Sequence, residues 1–131
     1  MNGHYQGEKH CEIVHNPSQS RIETDAPKDN AGKGERFSPT DLIGAALGSC
    51  ILTTMAIHAE KEGLDLKGAR FDIGKEMVSN PRRIGILSGK ITLPKTLSPE
   101  KRSWLEGITL NCPVAKSLHP DVKLALEFEY L

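Results

Sequence analysis

The chain has 131 residues, and its 17 Lys plus Arg balance 17 Asp plus Glu, so the formal charge is zero. That length predicts one domain, residues 1–131. The charge balance, with basic residues scattered rather than striped, removes the electrostatic case for nucleic acid or an anionic membrane.

Residues 1–24 read as short strands with turns, in which Tyr5, Cys11, Ile13 and Ile22 are sparse apolar positions and His15-Asn16-Pro17-Ser18 is a turn. The first six residues are polar and lack the apolar core of a signal peptide, so a cytoplasmic location is expected. Residues 25–37, DAPKDNAGKGERF, are rich in Asp, Pro, Asn, Gly and charge and predict a loop. Ser38-Pro39-Thr40-Asp41 is a helix start: Ser38 caps, Pro39 suits the first helical position, and Asp41 closes a capping box. The helix is expected to run to about Glu62, with Gly63 as its stop. Its first four turns are apolar on nearly every side, which predicts burial all round. Gly44 with Gly48, Ala45 with Ser49 and Ala46 with Cys50 repeat small residues at four-residue spacing, which lets another backbone come close. The apolar stretch Leu42–Ile57 is interrupted by Gly44, Gly48, Ser49, Thr53 and Thr54, too short and mixed for a membrane span.

Residues 68–79 predict a strand with Phe71, Ile73 and Met77 on one face, then a turn at Asn80-Pro81-Arg82-Arg83. A second strand follows over Ile84–Leu93, with an irregularity at Ser88-Gly89. Ser98-Pro99-Glu100 opens a helix to about Leu110, and Pro113 opens a short one through Leu118. The final segment alternates, with Val122, Leu124, Leu126, Phe128 and Tyr130 facing in and Lys123, Glu127 and Glu129 facing out. The order of strands, long helix, strand pair, helix pair and strand is α+β with largely antiparallel sheets.

Cysteines at 11, 50 and 112 make an odd set without C-x-x-C spacing, a poor structural disulfide framework. Cys50 lies mid-helix, where a free cysteine is usually a small core hydrophobe. Cys112 precedes Pro113 at a helix N-terminus, whose unpaired N–H groups and dipole favour thiolate. Cys11 has no such context and reads as packing. Cys11 and His15, with His4 and His10 nearby, form one loose pair rather than the four tightly spaced ligands that zinc takes, so no metal is expected. DNAGKGE does not have phosphate-loop spacing.

FSPTDLIGAALGSCILTTM, residues 37–55, resembles the first cysteine helix of the OsmC/Ohr proteins, and NCPVAKSLHPDV, residues 111–122, resembles their second cysteine motif. TDAPKDNAGKGERFSPTDL is similar to the OsmC-like branch of unassigned role. The resemblance implies antiparallel sheets around long central helices in an intertwined homodimer, with active sites at the subunit interface. It implies that Cys50 attacks an organic hydroperoxide and becomes a sulfenic acid, that Cys112 resolves it as a disulfide, and that an external dithiol resets the pair, with no bound cofactor. It further implies an arginine beside the first cysteine, held by a glutamate ten residues before it. Thr40 occupies that position here, and the adjacent Asp41 is the candidate to take the glutamate's place. Arg36, on the loop leading into the helix, is the favoured cation, and Arg21 is its rival. The alternative is a non-peroxidatic OsmC-like dimer that binds a small apolar or thiol ligand or senses redox state.

Overall fold

The computed structural model describes all 131 residues, Met1–Leu131. They form two compact units, Met1–Ile43 and Gly44–Leu131, with the boundary inside the long helix.

Met1–Ile43 holds β1 (Asn2–Gly7), β2 (His10–Val14) and β3 (Arg21–Asp25), an antiparallel sheet in the order β1-β2-β3. Strand alternation separates its two faces. Tyr5, Cys11 and Thr24 share one, and His10, Glu12, Glu23 and Asp25 share the other. The loop after β3 has its own hydrogen bonds. Asn30 N–H and Gly32 N–H both donate to Pro27 O, at 2.9 and 3.0 Å, and Gly34 N–H donates to Ala26 O at 3.2 Å. Gly32 is required there, because a Cβ would lie 1.7 Å from Ala26 O. The capping box forms as the sequence predicts: Asp41 N–H donates to Ser38 Oγ at 3.1 Å, and Ser38 N–H donates to Asp41 Oδ2 at 2.7 Å.

The helix so opened, α1, spans Pro39–Lys61, and Gly63 follows it with φ +68°. In Gly44–Leu131 it is followed by β4 (Arg70–Val78), β5 (Arg83–Leu93), α2 (Pro99–Ile108), α3 (Pro113–Ser117) and β6 (Lys123–Tyr130). The sheet order is β4-β5-β6. β4 and β5 pair antiparallel, whereas β5 and β6 pair parallel, so this sheet is mixed rather than antiparallel throughout. The cause is topological: α2 and α3 lie between β5 and β6 in the chain and supply the crossover that parallel neighbours need.

Two expectations are corrected here. The register shift in the β4–β5 pair falls between Glu76 and Met77, not at Ser88-Gly89. Gly89 instead permits a close approach, since a Cβ there would lie 1.9 Å from Asp72 O. Nor is α1 buried all round. Its buried residues, Gly44, Leu47, Gly48, Ile51, Met55 and Ala59, recur three and four apart and make one stripe. Ile43 and Ile57 are exposed. The small residues of that stripe admit the sheet: Gly44 faces Ile73 and Leu87, and Gly48 faces Phe71. By length and composition alone α1, longer than Leu42–Ile57, is apolar enough to cross a bilayer, a property shared with core helices of water-soluble proteins. Leu47, Ile51, Met55 and Ala59 join Leu87, Ile91, Leu93, Leu105 and Cys112 in the core.

Candidate thiol site

Cys50 and Cys112 both lie in Gly44–Leu131. Cys50 is set by α1: it is the neighbour of buried Ile51, sits beside the buried stripe and packs partly buried against the core. Cys112 is set by α3, whose start combines a β-region cap residue (φ −67°, ψ 142°) with proline at the first helical position. The Cys112 sulfur acts as the cap acceptor, receiving Ala115 N–H at 3.3 Å. The turn before it, Thr109–Asn111, is tied to α2 by Thr109 Oγ, which donates to Leu105 O at 3.3 Å. Sixty-two positions separate the two thiols in sequence (50 to 112), yet Cys50 packs against the core cluster that contains Cys112 and lies near enough to influence its thiol. All three cysteines are free thiols.

The electrostatics of Cys112 run opposite to the expectation from its helix terminus. Burial pushes its thiol up from the ordinary value, and the facing Cys50 pushes in the same direction. The Ala115 and Val114 N–H groups pull it down, as a helix N-terminus should, but by less than the desolvation. Cys112 has no exposed surface, so the thiolate has no water to replace its lost hydration. In the pair, therefore, Cys112 holds its proton and the partly exposed Cys50 is the sulfur open to solvent-borne reactants.

The other predicted site residues belong to Met1–Ile43 and have partners there. Arg36 Nε donates to Glu23 Oε2 at 2.9 Å, and its NH1 group donates to Glu35 O at 3.1 Å. The Glu23 carboxyl is held below its ordinary range by Arg36 first and by His10 second, and Arg36 is raised in turn by Glu23. Arg21 NH1 donates to Glu12 Oε1 at 2.8 Å. Asp41 places Oδ2 in the α1 capping box, and Thr40 Oγ1 lies 3.1 Å from Ser38 Oγ. Cys50 and Cys112 are thus the site residues that share one compact unit.

Residues that sequence reasoning passed over form a second polar cluster in Met1–Ile43. His10 Nδ1 donates to buried Asp25 Oδ1 at 2.6 Å, His10 Nε2 lies 3.5 Å from Glu23 Oε1, and Glu35 N–H donates to Asp25 Oδ2 at 3.0 Å. The His10 contact is the main cause that lowers the Asp25 carboxyl. The signal was present in the strand register, which places His10 directly opposite Asp25, but it emerges only once β2 and β3 are paired. The cluster opens onto a concavity of about 320 Å³ that also includes Glu8 and Lys33, themselves an ion pair. A different concavity, about 630 Å³, runs beside α1 and is lined by Leu52, Ala56, Leu64, Leu66 and Ala69 among others. Neither Cys50 nor Cys112 lines it, so it is not the thiol site.

Comparison with known proteins places this geometry in context. A family model described as OsmC-like protein matches residues 32–127. Among solved structures, one from Psychrobacter arcticus 273-4, named for an osmotic stress induced and detoxification response, is 38% identical with a TM-score of 0.93, covering 98% of this chain and 93% of that one. An organic hydroperoxide resistance protein OsmC from Legionella pneumophila has a TM-score of 0.79 at 13% identity, with 98% and 95% coverage. An organic hydroperoxide resistance protein from Elizabethkingia anophelis has a TM-score of 0.76 at 12% identity, with 98% and 94% coverage. The latter two share the fold. No curated protein sequence matches this one.

Proposed function

We propose, for a chain that belongs to the OsmC-like family, a thiol-dependent reduction of organic hydroperoxides carried by Cys50 and Cys112. The observation that supports it is a pair of free thiols in one compact unit, one partly exposed and one buried, near enough for Cys50 to influence Cys112, in a fold whose relatives include organic hydroperoxide resistance proteins. The Cys50 thiolate attacks the peroxide oxygen and becomes a sulfenic acid. Cys112 displaces the sulfenic hydroxyl to form a disulfide, and an external dithiol restores both thiols. No bound cofactor enters the cycle. The deciding experiment measures hydroperoxide consumption with dithiol for wild type and Cys50→Ser. Turnover that survives Cys50→Ser, or a wild type without turnover, overturns the proposal.

Arg36 is the cation we assign to the reaction, as a stabiliser of the thiolate and of the leaving alkoxide. Its guanidinium is held in an ion pair with Glu23. Arg36→Met is expected to slow turnover, and Arg21→Met to leave it near wild type. Equal effects of the two substitutions sink the assignment.

A second copy of the chain belongs to this reading. Tyr5, Ile22, Phe37, Ile43 and Ile57 are exposed in the single chain. The intertwined homodimer implied by the resemblance would cover them. The non-peroxidatic alternative, a dimer that binds a small apolar or thiol ligand or senses redox state, is favoured by Thr40 standing where a glutamate is expected. The Cys50→Ser comparison decides between the two.

A further inference from the structure

We propose that His10 is the positioning residue of Arg36: it carries the fixed orientation of buried Asp25, through Glu23, to the guanidinium. The proposal deepens the peroxidase reading and rests on the assignment of Arg36 to the thiol reaction.

Five residues close a ring of contacts within Met1–Ile43. Strand register puts His10 opposite Asp25 and Glu12 opposite Glu23, so Asp25 and Glu23, two apart on β3, share the face that carries His10. His10 Nδ1 lies 2.6 Å from Asp25 Oδ1, and Nε2 lies 3.5 Å from Glu23 Oε1, an ion pair when the imidazole is protonated. Both ring nitrogens thus face carboxylate oxygens, which a charged imidazole serves with two donors. Glu23 Oε2 accepts Arg36 Nε–H at 2.9 Å. The ring closes through the neighbouring residue, because Glu35 N–H donates to Asp25 Oδ2 at 3.0 Å.

Burial shows which member is the anchor. Side-chain exposure climbs around the ring from 4% at Asp25 to 23% at His10, 42% at Glu23 and 51% at Arg36. An ion pair as exposed as Arg36–Glu23 holds two long side chains only weakly when it stands alone. Asp25 is the fixed member, buried with both carboxylate oxygens engaged. It pins the imidazole, and the imidazole faces the Glu23 oxygen that Arg36 does not use. Glu23 is therefore held at both oxygens. The same Asp25 fixes the backbone just before Arg36. Arg36 is then gripped through Nε, and through NH1 by Glu35 O at 3.1 Å, and these contacts leave NH2 for a reacting group. A guanidinium fixed in this way meets developing charge without reorganising.

The test follows the hydrogen exchange with water of the Arg36 side-chain Nε–H by NMR of the 15N-labelled protein, the signal being assigned by its loss in Arg36→Met. His10→Asn keeps a donor where Nδ1 faces Asp25 and removes the atom that faces Glu23. His10→Gln puts a donor where Nε2 stands. Thermal melts confirm that each variant is folded. His10→Asn is expected to speed the exchange about tenfold, the scale of one hydrogen bond to a charged group, and His10→Gln to recover part of that loss. Wild-type Arg36 exchanging as fast as free arginine overturns the proposal without any variant. His10→Asn exchanging as slowly as wild type, or His10→Gln as fast as His10→Asn, overturns it too. Hydroperoxide turnover with dithiol is the second readout. His10→Asn is expected to slow it and to add nothing to Arg36→Met, since both act through one guanidinium; an additive loss overturns the positioning role. Turnover that survives Arg36→Met while His10→Asn speeds the exchange overturns the assignment of Arg36 to the reaction, and leaves His10 as the residue that positions it.

Discussion

Gly48 and Phe71 compete for one volume: a Cβ built on Gly48 would lie 2.3 Å from Cδ2 of the Phe71 ring. One turn earlier, a Cβ on Gly44 would meet Ile73 Cγ2 at 3.5 Å, an ordinary contact. The two glycines look equivalent in sequence, yet they should respond in opposite directions. Alanine in place of a helical glycine gains about 1 kcal/mol, and overpacking costs about 1–3 kcal/mol. Gly44→Ala is expected to raise stability by up to about 1 kcal/mol, and Gly48→Ala to lower it by about 1 kcal/mol as Phe71 is pushed off α1. Urea midpoints of the two variants check this. Gly48→Ala at least as stable as Gly44→Ala would show that the ring moves aside without cost.

Asp25 links stability to acid. Its folded carboxyl is lowered by His10 first, then by Glu35 N–H. A carboxyl depressed on folding contributes stability that is present above its unfolded value and is lost as pH falls through its folded value. The loss is therefore expected below about pH 4, the ordinary aspartate range. Asp25→Asn should be less stable than wild type at neutral pH and show a flatter acid limb in that window. Parallel acid limbs in a denaturation series would remove Asp25 as a contributor.

The three cysteines should separate by chemistry. Cys112 is fully buried and its thiol is pushed up, so it is expected to be the slowest of the three to alkylate at neutral pH. Mild peroxide should join Cys50 to Cys112 and leave Cys11, on β2 opposite Tyr5 and Thr24, free. Peptide mapping reads both outcomes. A dominant Cys11 disulfide, or Cys112 labelled first, contradicts the arrangement.

The exposed apolar residues of α1 and the N-terminal sheet predict self-association. Light scattering at micromolar concentration is expected to give twice the mass of the 14.4 kDa chain. Ile57→Lys, at a half-exposed position of α1, should shift that equilibrium toward monomer. A folded wild-type monomer under those conditions rules out the homodimer.

Signals confined to a few neighbouring residues were legible from the sequence alone. The Ser38–Asp41 box starts α1, Gly63 follows its end, Pro113 opens α3, and the alternation of β6 sorts its faces. Each is decided by local backbone geometry or by side-chain period, which the sequence carries directly. Tertiary structure decided the rest, because those outcomes depend on residues far apart in the chain. The parallel pairing of β6 with β5 depends on how a helical crossover returns, and an alternating strand reads the same in either direction. Gly48 announced a close approach but not that Phe71 would fill it. His10 and Asp25 became partners through strand register. Cys112 marks the sharpest division: its cap position is written in Asn111-Cys112-Pro113, while the core packed around it makes desolvation outweigh the helix terminus.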